Sequence, residues 1–415
     1  MGGLATMKII VLNDHAHVNG GGGAVALASA RGLAEAGFPV TLFTAVGPAD
    51  KELAAVAGLD VVCLGQQEIA RDPDRVRAFT QGLYNRSASQ QLGLLLDRHD
   101  RRDTIVHVHT WTQALSPFAI DTAIRRGFKV VLTLHDFFVG CPTGGLFLPK
   151  TAELCHREPL SWDCLRCSCD RRHYAHKVWR SARTFLQNRV LRIPDGIAHF
   201  IGVSEFAVSI VRPWLPSGAP VTVVRNPVNC PPGPAVEVAA NRPVLFVGRF
   251  APEKGVLLAA EAVRRSKLPA VFVGDGEQSA QARALCPHAT FTGWLPQTQV
   301  SEQIRRARAL LLPSIWREPL GLSVVEAAGY GVPSIVSDQS AAAQFIREGS
   351  GGIEFRHGSA DALCEAMERL RDDALVTRLG RNAYDWYWRE PWSTSQHIAA
   401  LRTVYAELLA QPVAA

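Results

Sequence analysis

Two glutamates, Glu318 and Glu326, flank the stretch Pro319-Leu320-Gly321-Leu322-Ser323-Val324-Val325. A glycine-containing apolar turn that runs into a helix places the first carboxylate on a loop and the second about one turn inside the helix. Between them lie backbone N–H groups at a helix start, which have no intrahelical acceptor. Such an end accepts a phosphate, and the carboxylates accept hydrogen bonds from hydroxyl groups. A phosphate-bearing, polyhydroxylated ligand fits this chemistry. A capped helix with acids in its first turn has the same pattern.

Upstream, Phe246-Val247-Gly248-Arg249-Phe250-Ala251-Pro252-Glu253-Lys254-Gly255 delivers two cations to the end of an apolar strand. Arginine offers phosphate a planar fork and lysine a point charge. Near the N-terminus, Asn19-Gly20-Gly21-Gly22-Gly23-Ala24-Val25-Ala26 reads as a loop that lets a ligand approach the backbone closely. It formally satisfies the dinucleotide pattern G-x-G-x-x-A. An NAD(P)-dependent oxidoreductase is therefore one alternative. The glycines start eight residues after the first strand, however, and Phe43-Thr44-Ala45-Val46-Gly47 supplies no acid for a ribose. His135 ends the strand Val130–His135 and His109 ends Ile105–His109, where an open α/β sheet binds its ligands.

Two further groups stand apart. Cys164-x-x-Cys167 has the spacing of half a zinc knuckle, and Cys141 and Cys155 could complete a structural zinc site, with His156, His173 and His176 as substitutes. Reduced free thiols are the alternative. Arg171, Arg172, Lys177, Arg180, Arg183, Arg189 and Arg192 interleave with Tyr174, Val178, Trp179, Phe185, Leu186 and Val190. That is the pattern of a basic amphipathic helix on an anionic membrane surface, or of a helix whose apolar face, Trp179 and Phe185 included, enters the core. Asp72-Pro73-Asp74 imitates a metal-binding pair but reads better as a helix cap.

Gly248-Arg249 with Lys254-Gly255, Val273-Gly274-Asp275-Gly276, Leu312-Pro313-Ser314 and Glu318 to Glu326 occur in that order. Together they resemble the donor-binding half of the retaining family 4 (group 1) glycosyltransferases of the GT-B fold. The N-terminal glycine loop, His135, Val203-Ser204 and Arg389-Glu390-Pro391-Trp392-Ser393 extend the resemblance over essentially the whole chain. It implies that Arg249 and Lys254 neutralise a donor pyrophosphate, with backbone N–H groups near Leu320, Gly321 and Leu322. Glu318 would contact the donor sugar and Glu326 the ribose. Gly293-Trp294-Leu295 would lie near the base, and Gly22 and Gly23 would approach the phosphates from the opposite domain. His135 would contact the sugar or stabilise the transition state. No catalytic metal is implied. Where family members often carry Gly-Gly and an acid, this chain reads Asp338-Gln339-Ser340-Ala341-Ala342-Ala343-Gln344. That leaves the donor sugar open.

The elements that must hold these residues follow an α/β rhythm. Strand-like runs at Ile9–Leu12, Val40–Thr44, Val61–Leu64, Ile105–His109, Val130–His135 and Ile197–Val203 alternate with helical patterns such as Ala24–Ala36 and Arg75–Asp97. A second series comprises Val221–Val224, Val244–Val247, Ala270–Val273, Thr290–Thr292, Ala309–Pro313 and Ser334–Ser337. Alternation of this kind gives parallel sheets covered by helices. At 415 residues the chain exceeds one ordinary core. We expect a Rossmann-like domain over 1–225 that selects the acceptor, with a cysteine-rich insertion at 136–175. A nucleotide-sugar-binding Rossmann-like domain over 226–388 and a C-terminal helix, 389–415, crossing back to the first domain complete it.

A net charge of +6 permits an anionic ligand without calling for nucleic acid. No basic segment followed by a long apolar one opens the chain, so no leader is expected, and no run reaches the roughly 20 residues of a membrane span. The expected protein is a cytoplasmic transferase, peripheral on the inner face of the membrane, that moves sugar from a nucleotide donor to a glycan or lipid-linked acceptor. A non-catalytic sugar-nucleotide-binding partner is the third alternative.

Overall fold

The computed structural model describes residues 7–411. The expected absence of a leader falls on residues 1–6, outside the described residues. Nine strands belong to the first half: β1 Lys8–His15, β2 Val40–Val46, β3 Leu59–Gln66, β4 Thr104–Val108, β5 Lys129–Leu134, the hairpin β6 Phe147–Leu148 and β7 Glu153–Leu154, β8 His199–Gly202 and β9 Val221–Val223. All but the hairpin form one parallel sheet in the order β3-β2-β1-β4-β5-β8-β9. The second half adds β10 Val244–Val247, β11 Ala270–Val273, β12 Thr290–Gly293, β13 Ala309–Leu312, β14 Ser334–Ser337 and β15 Gly352–Phe355. They form a second parallel sheet, β12-β11-β10-β13-β14-β15.

Strand β1 shows why the apolar runs are continuous. Ile10 and Leu12 enter one core with Leu92, Leu96 and Ile120, whereas Ile9 and Val11 enter another with Leu27 and Leu33. A parallel strand buried on both faces needs apolar side chains at both parities. The C-terminal helix Thr394–Ala410, capped by the Ser393 hydroxyl, lays Ile398, Leu401, Val404, Tyr405 and Leu408 on that second face of the first sheet. Just before it, Trp392 belongs to the core of the second domain. The chain therefore crosses from one domain to the other between these two elements.

Four local expectations change. Val221–Val223 closes the first sheet rather than opening the second. The helical pattern over 75–97 is two helices, Arg75–Leu83 and Arg86–Leu96, because Asn85 leaves the helix and its side chain caps the second one at Ala88 N (3.0 Å). Strand β15 carried no signal distinguishable from a glycine turn. The glycine run is not a loop: Gly21, Gly22 and Gly23 form the first turn of the helix Gly21–Glu35. Asp74 caps its helix by accepting from Val76 N and Arg77 N, and Asp72 pairs with Arg77.

Candidate active site

The carboxyl ends of the two sheets meet across a cleft. From the first domain come the helix start at Gly21–Gly23 after β1, His135 after β5 and Ser204 after β8. From the second come Lys254 after β10 and the 318–322 segment after β13. Ser204 Oγ donates to the Pro319 carbonyl at 2.6 Å, and Gly21 faces Leu322, whose Cδ1 lies 3.8 Å from where a Cβ would stand.

Glu318 is the centre of the second-domain half. Its carboxylate receives Lys254 Nζ at 2.7 and 2.9 Å, Ser314 Oγ at 2.9 Å and Trp316 Nε1 at 2.9 Å. Burial opposes its charge, but the Lys254 ammonium and the two neutral donors outweigh that cost and hold its carboxyl below the ordinary range. The Lys254 ammonium also lies 5.2 Å from the Trp316 ring centroid. Gly255 makes this possible. Its φ is +69°, and a Cβ there would stand 2.0 Å from the Pro313 carbonyl oxygen. Only glycine brings the Lys254 loop this close to the end of β13.

The phosphate and ribose candidates are arranged around this pair. Arg249 is 57 % exposed along its side chain and joins Glu253 at 2.7 Å. Leu320 is buried, Gly321 is left-handed at φ 83°, and the helix Leu322–Gly329 starts there, leaving its first N–H groups without intrahelical acceptors. Glu326 accepts from Gln297 Nε2 (2.9 and 3.0 Å) and Ser301 Oγ (2.6 Å). Burial raises its pKa against these two donors. Gly293 ends β12, Leu295 packs on the second core and Trp294 is 67 % exposed. The variant segment after β14 has a definite place: Ala341 N donates to the Glu318 carbonyl at 3.0 Å, and Ala342 fits against Gly321.

Across the cleft, a Cβ at Gly22 would lie 3.1 Å from His135 Cγ, whereas the space beside Gly23 is open except for Asn13. His135 Nε2 is 2.9 Å from His109 Nδ1, and the two rings stack at 5.2 Å. His109 in turn packs on His107, which bonds Thr133 and Tyr405. Burial, with repulsion from His397, pushes His135 down to about 3. It is a neutral hydrogen-bonding group at neutral pH. Beside it, burial pushes Asp136 up to about 6, against the Phe138 N–H that favours its charge.

Several participants carried no signal in the sequence. Glu253 is buried between Arg249 and Arg171. Trp316, Ser314, Gln297 and Ser301 hold the two glutamates. The contacts of Gln297 and Ser301 with Glu326, and of Arg171 with Glu253, join separate elements, which residue spacing does not encode, whereas Ser314 and Trp316 lie within four residues of Glu318. Glu253 and Ser314 did lie inside the motifs that pointed to the site.

The cysteines expected to hold a structural zinc lie in the insertion. Cys141, Cys155 and Cys164 are buried, Cys167 is half-buried, and all four are free thiols. Zinc needs four ligands converging at about 2.3 Å from the metal. Among the described residues no group of three or more His, Cys, Asp or Glu could hold a metal ion. Cations stand beside the thiols: Lys177 Nζ donates to Cys164 Sγ at 3.2 Å, and Arg157 lies 4.0 Å from Cys155 Sγ.

The basic stretch is also corrected. Lys177 and Arg183 are buried, Arg180 pairs with Asp170 at 3.0 Å, Arg171 with Glu253, and Arg192 with Asp195 at 2.7 Å. Of the seven cations of this stretch, Arg172 and Arg189 are exposed without an ion pair among the described residues. Trp179 packs on Phe79, but Phe185 is 54 % exposed, so neither earlier picture of this helix holds whole.

Two parallel Rossmann-like sheets, opposed across a cleft with a C-terminal helix returning to the first, define the GT-B fold. The Glycosyltransferase Family 4 model matches residues 19–230 and the Glycosyl transferases group 1 model residues 238–386, and the chain belongs to this family. Glycogen synthase from Mycobacterium tuberculosis is 29 % identical over 212 residues, 45 % of this chain and 50 % of that protein. The chain thus spans about half the length of that curated relative. Sucrose-phosphate synthase from Thermosynechococcus elongatus superposes with a TM-score of 0.70 at 18 % identity, covering 97 % of this chain and 99 % of that one. HepE from Anabaena, solved in complex with UDP, gives 0.66 at 14 % identity, covering 97 % and 100 %. The family assignment removes the oxidoreductase alternative.

Proposed function

We propose that the protein transfers a sugar, with retention of configuration, from a nucleoside-diphosphate sugar to a glycan or lipid-linked acceptor, in polysaccharide or glycolipid assembly. The observation that carries this reading is the pair of half-buried Lys254 and buried Glu318, set beside Arg249 and an open helix N-terminus. Arg249, Lys254 and the helix amides stabilise the charge that develops on a departing diphosphate. Glu318 orients the sugar and Glu326 holds the ribose. His135, neutral and backed by His109, donates a hydrogen bond to the sugar beside Gly22. Both Glu318 oxygens are already engaged by Lys254, Ser314 and Trp316. A same-face displacement within an ion pair therefore suits the site better than a covalent glycosyl–enzyme. The cations supply the electrostatics, so activity persists in excess EDTA.

Equilibrium dialysis against UDP, GDP, ADP and NAD tests the donor class. Retention of at least one nucleoside diphosphate and not of NAD is expected. Binding of none would overturn the reading.

Attachment to a membrane is part of this proposal. The helix Tyr174–Phe185 turns Lys177 and Arg183 inward and leaves Tyr174, Val178 and Phe185 exposed. Val76 and Phe79 are exposed on the helix against which Trp179 packs. Five exposed apolar side chains beside Arg172 and Arg189 suit the anionic inner face of a membrane, at a cytoplasmic site. Among the described residues no helix is long and apolar enough to cross one.

A further inference from the structure

We propose that Arg171, carried by the cysteine-rich insertion of the first domain, is a positioning residue of the donor site in the second. It acts through Glu253 on Arg249. The proposal rests on the reading of Arg249 as a diphosphate contact and adds to it a residue from across the cleft.

The geometry is that of one carboxylate shared by two guanidinium groups. Glu253 is 4 % exposed. One oxygen is 2.7 Å from Arg249 Nη2, and the other is in contact with Arg171 Nη2. Arg171 also reaches Glu277, 3.7 Å away on the loop after β11. The Glu253 backbone carbonyl accepts the N–H groups of Ile315 (2.9 Å) and Trp316 (3.3 Å). One residue thus fixes Arg249 through its side chain and the segment leading to Glu318 through its main chain.

The insertion is built to make this reach. Arg317 Nη2 is 3.2 Å from His156 Nδ1, and the Phe137 and Trp316 rings meet edge-on at 6.5 Å. Asp170, the neighbour of Arg171, is tied back to Arg180 at 3.0 Å. Arg171 therefore leaves a braced backbone and crosses to the other domain.

The physical consequence concerns Arg249. A buried carboxylate with a single cationic partner holds it closely, because nothing else offsets its charge. With Arg171 sharing Glu253, the Arg249 guanidinium keeps one edge on the carboxylate and presents its remaining N–H donors to the cleft. Those remaining donors are the ones a phosphate takes in a charge-assisted contact. Arg171 also ties the orientation of Arg249 to a closed cleft, since the two arginines belong to different domains.

The test is calorimetry of wild type, Arg171→Ala, Arg171→Lys, Arg249→Ala and the Arg171→Ala/Arg249→Ala double variant. The ligands are the nucleoside diphosphate that wild type binds and the matching nucleoside. Arg171→Ala should weaken the diphosphate about tenfold, the size of one charge-assisted contact, and leave the nucleoside unchanged. Arg171→Lys should recover most of the loss. In the Arg249→Ala background the further loss should be under about twofold, because residues acting through one another are not additive. Unchanged diphosphate affinity in Arg171→Ala, an equal loss for nucleoside, or full additivity with Arg249→Ala would overturn the proposal while leaving the donor reading intact. A wild type that binds no nucleoside diphosphate would overturn both.

Discussion

Lys254 and Glu318 are opposite charges, the glutamate buried and the lysine half-buried, and the lysine makes the buried carboxylate tolerable. Removing the lysine leaves the glutamate buried and unpaired, which costs more than the pair itself contributes. Lys254→Met should therefore destabilise the fold by about 3 kcal/mol, and Lys254→Met/Glu318→Gln by less than Lys254→Met alone. Thermal or urea unfolding of the three proteins measures this, and an additive double variant would contradict it. Asp136 makes a different test. Its folded pKa, about 6, lies above its ordinary 3.8, so between those values the folded state holds a proton that the unfolded state releases. Its own contribution to stability should fall as pH rises through that window, by at most about 3 kcal/mol for a shift of this size, against the opposite slope from the buried neutral histidines His107, His109, His135 and His397. Asp136→Asn should flatten that slope. A variant with the same pH profile as wild type would show that other groups set it. His135 stays neutral in the folded state but binds a proton when unfolded below its ordinary 6.5, so it contributes stability that is lost as pH falls below that value.

At the scale of elements, Gly255 fixes the distance between the β10 loop and the end of β13. Gly255→Ala places a methyl group against the Pro313 carbonyl and strains a left-handed residue. Nucleoside diphosphate affinity should drop at least as far as in Lys254→Ala, because the whole loop must shift. Affinity equal to wild type would show the loop to be more forgiving than its packing indicates. The elements also mark what a sequence can disclose. The strands were legible because a doubly buried parallel strand must be apolar at both parities, as Ile9 to Leu12 are. The donor motif was legible because its glycines and charges lie within short segments. The start of the helix at Gly21 was hidden, since three glycines have low helical propensity and only packing against His135 and Leu322 gives them a reason to coil. Glu253 and Arg171 were hidden because their pairing joins residues far apart in the chain. The cations beside the thiols, Lys177 and Arg157, were equally hidden, since spacing does not show which side chains meet.

The whole molecule joins a cleft to an exposed apolar face on the first domain. That face keeps few free cations, so membrane attachment should depend more on apolar contact than on salt. Liposome co-sedimentation should show binding to anionic vesicles that Phe185→Asp weakens strongly and that 0.5 M salt, roughly a Debye length of 4 Å, weakens only in part. Loss of all binding in salt with no effect of Phe185→Asp would contradict the apolar-face account. The cleft itself is tested most directly by turnover. A panel of UDP-, GDP- and ADP-sugars, incubated in excess EDTA and followed by proton NMR, reports both the leaving group and the first-formed anomer. The account predicts release of a nucleoside diphosphate from one of them, a sugar product of the donor's own anomeric configuration, and loss of both signals in Lys254→Ala and Glu318→Ala. No diphosphate release from any donor, or an inverted first product, would contradict it.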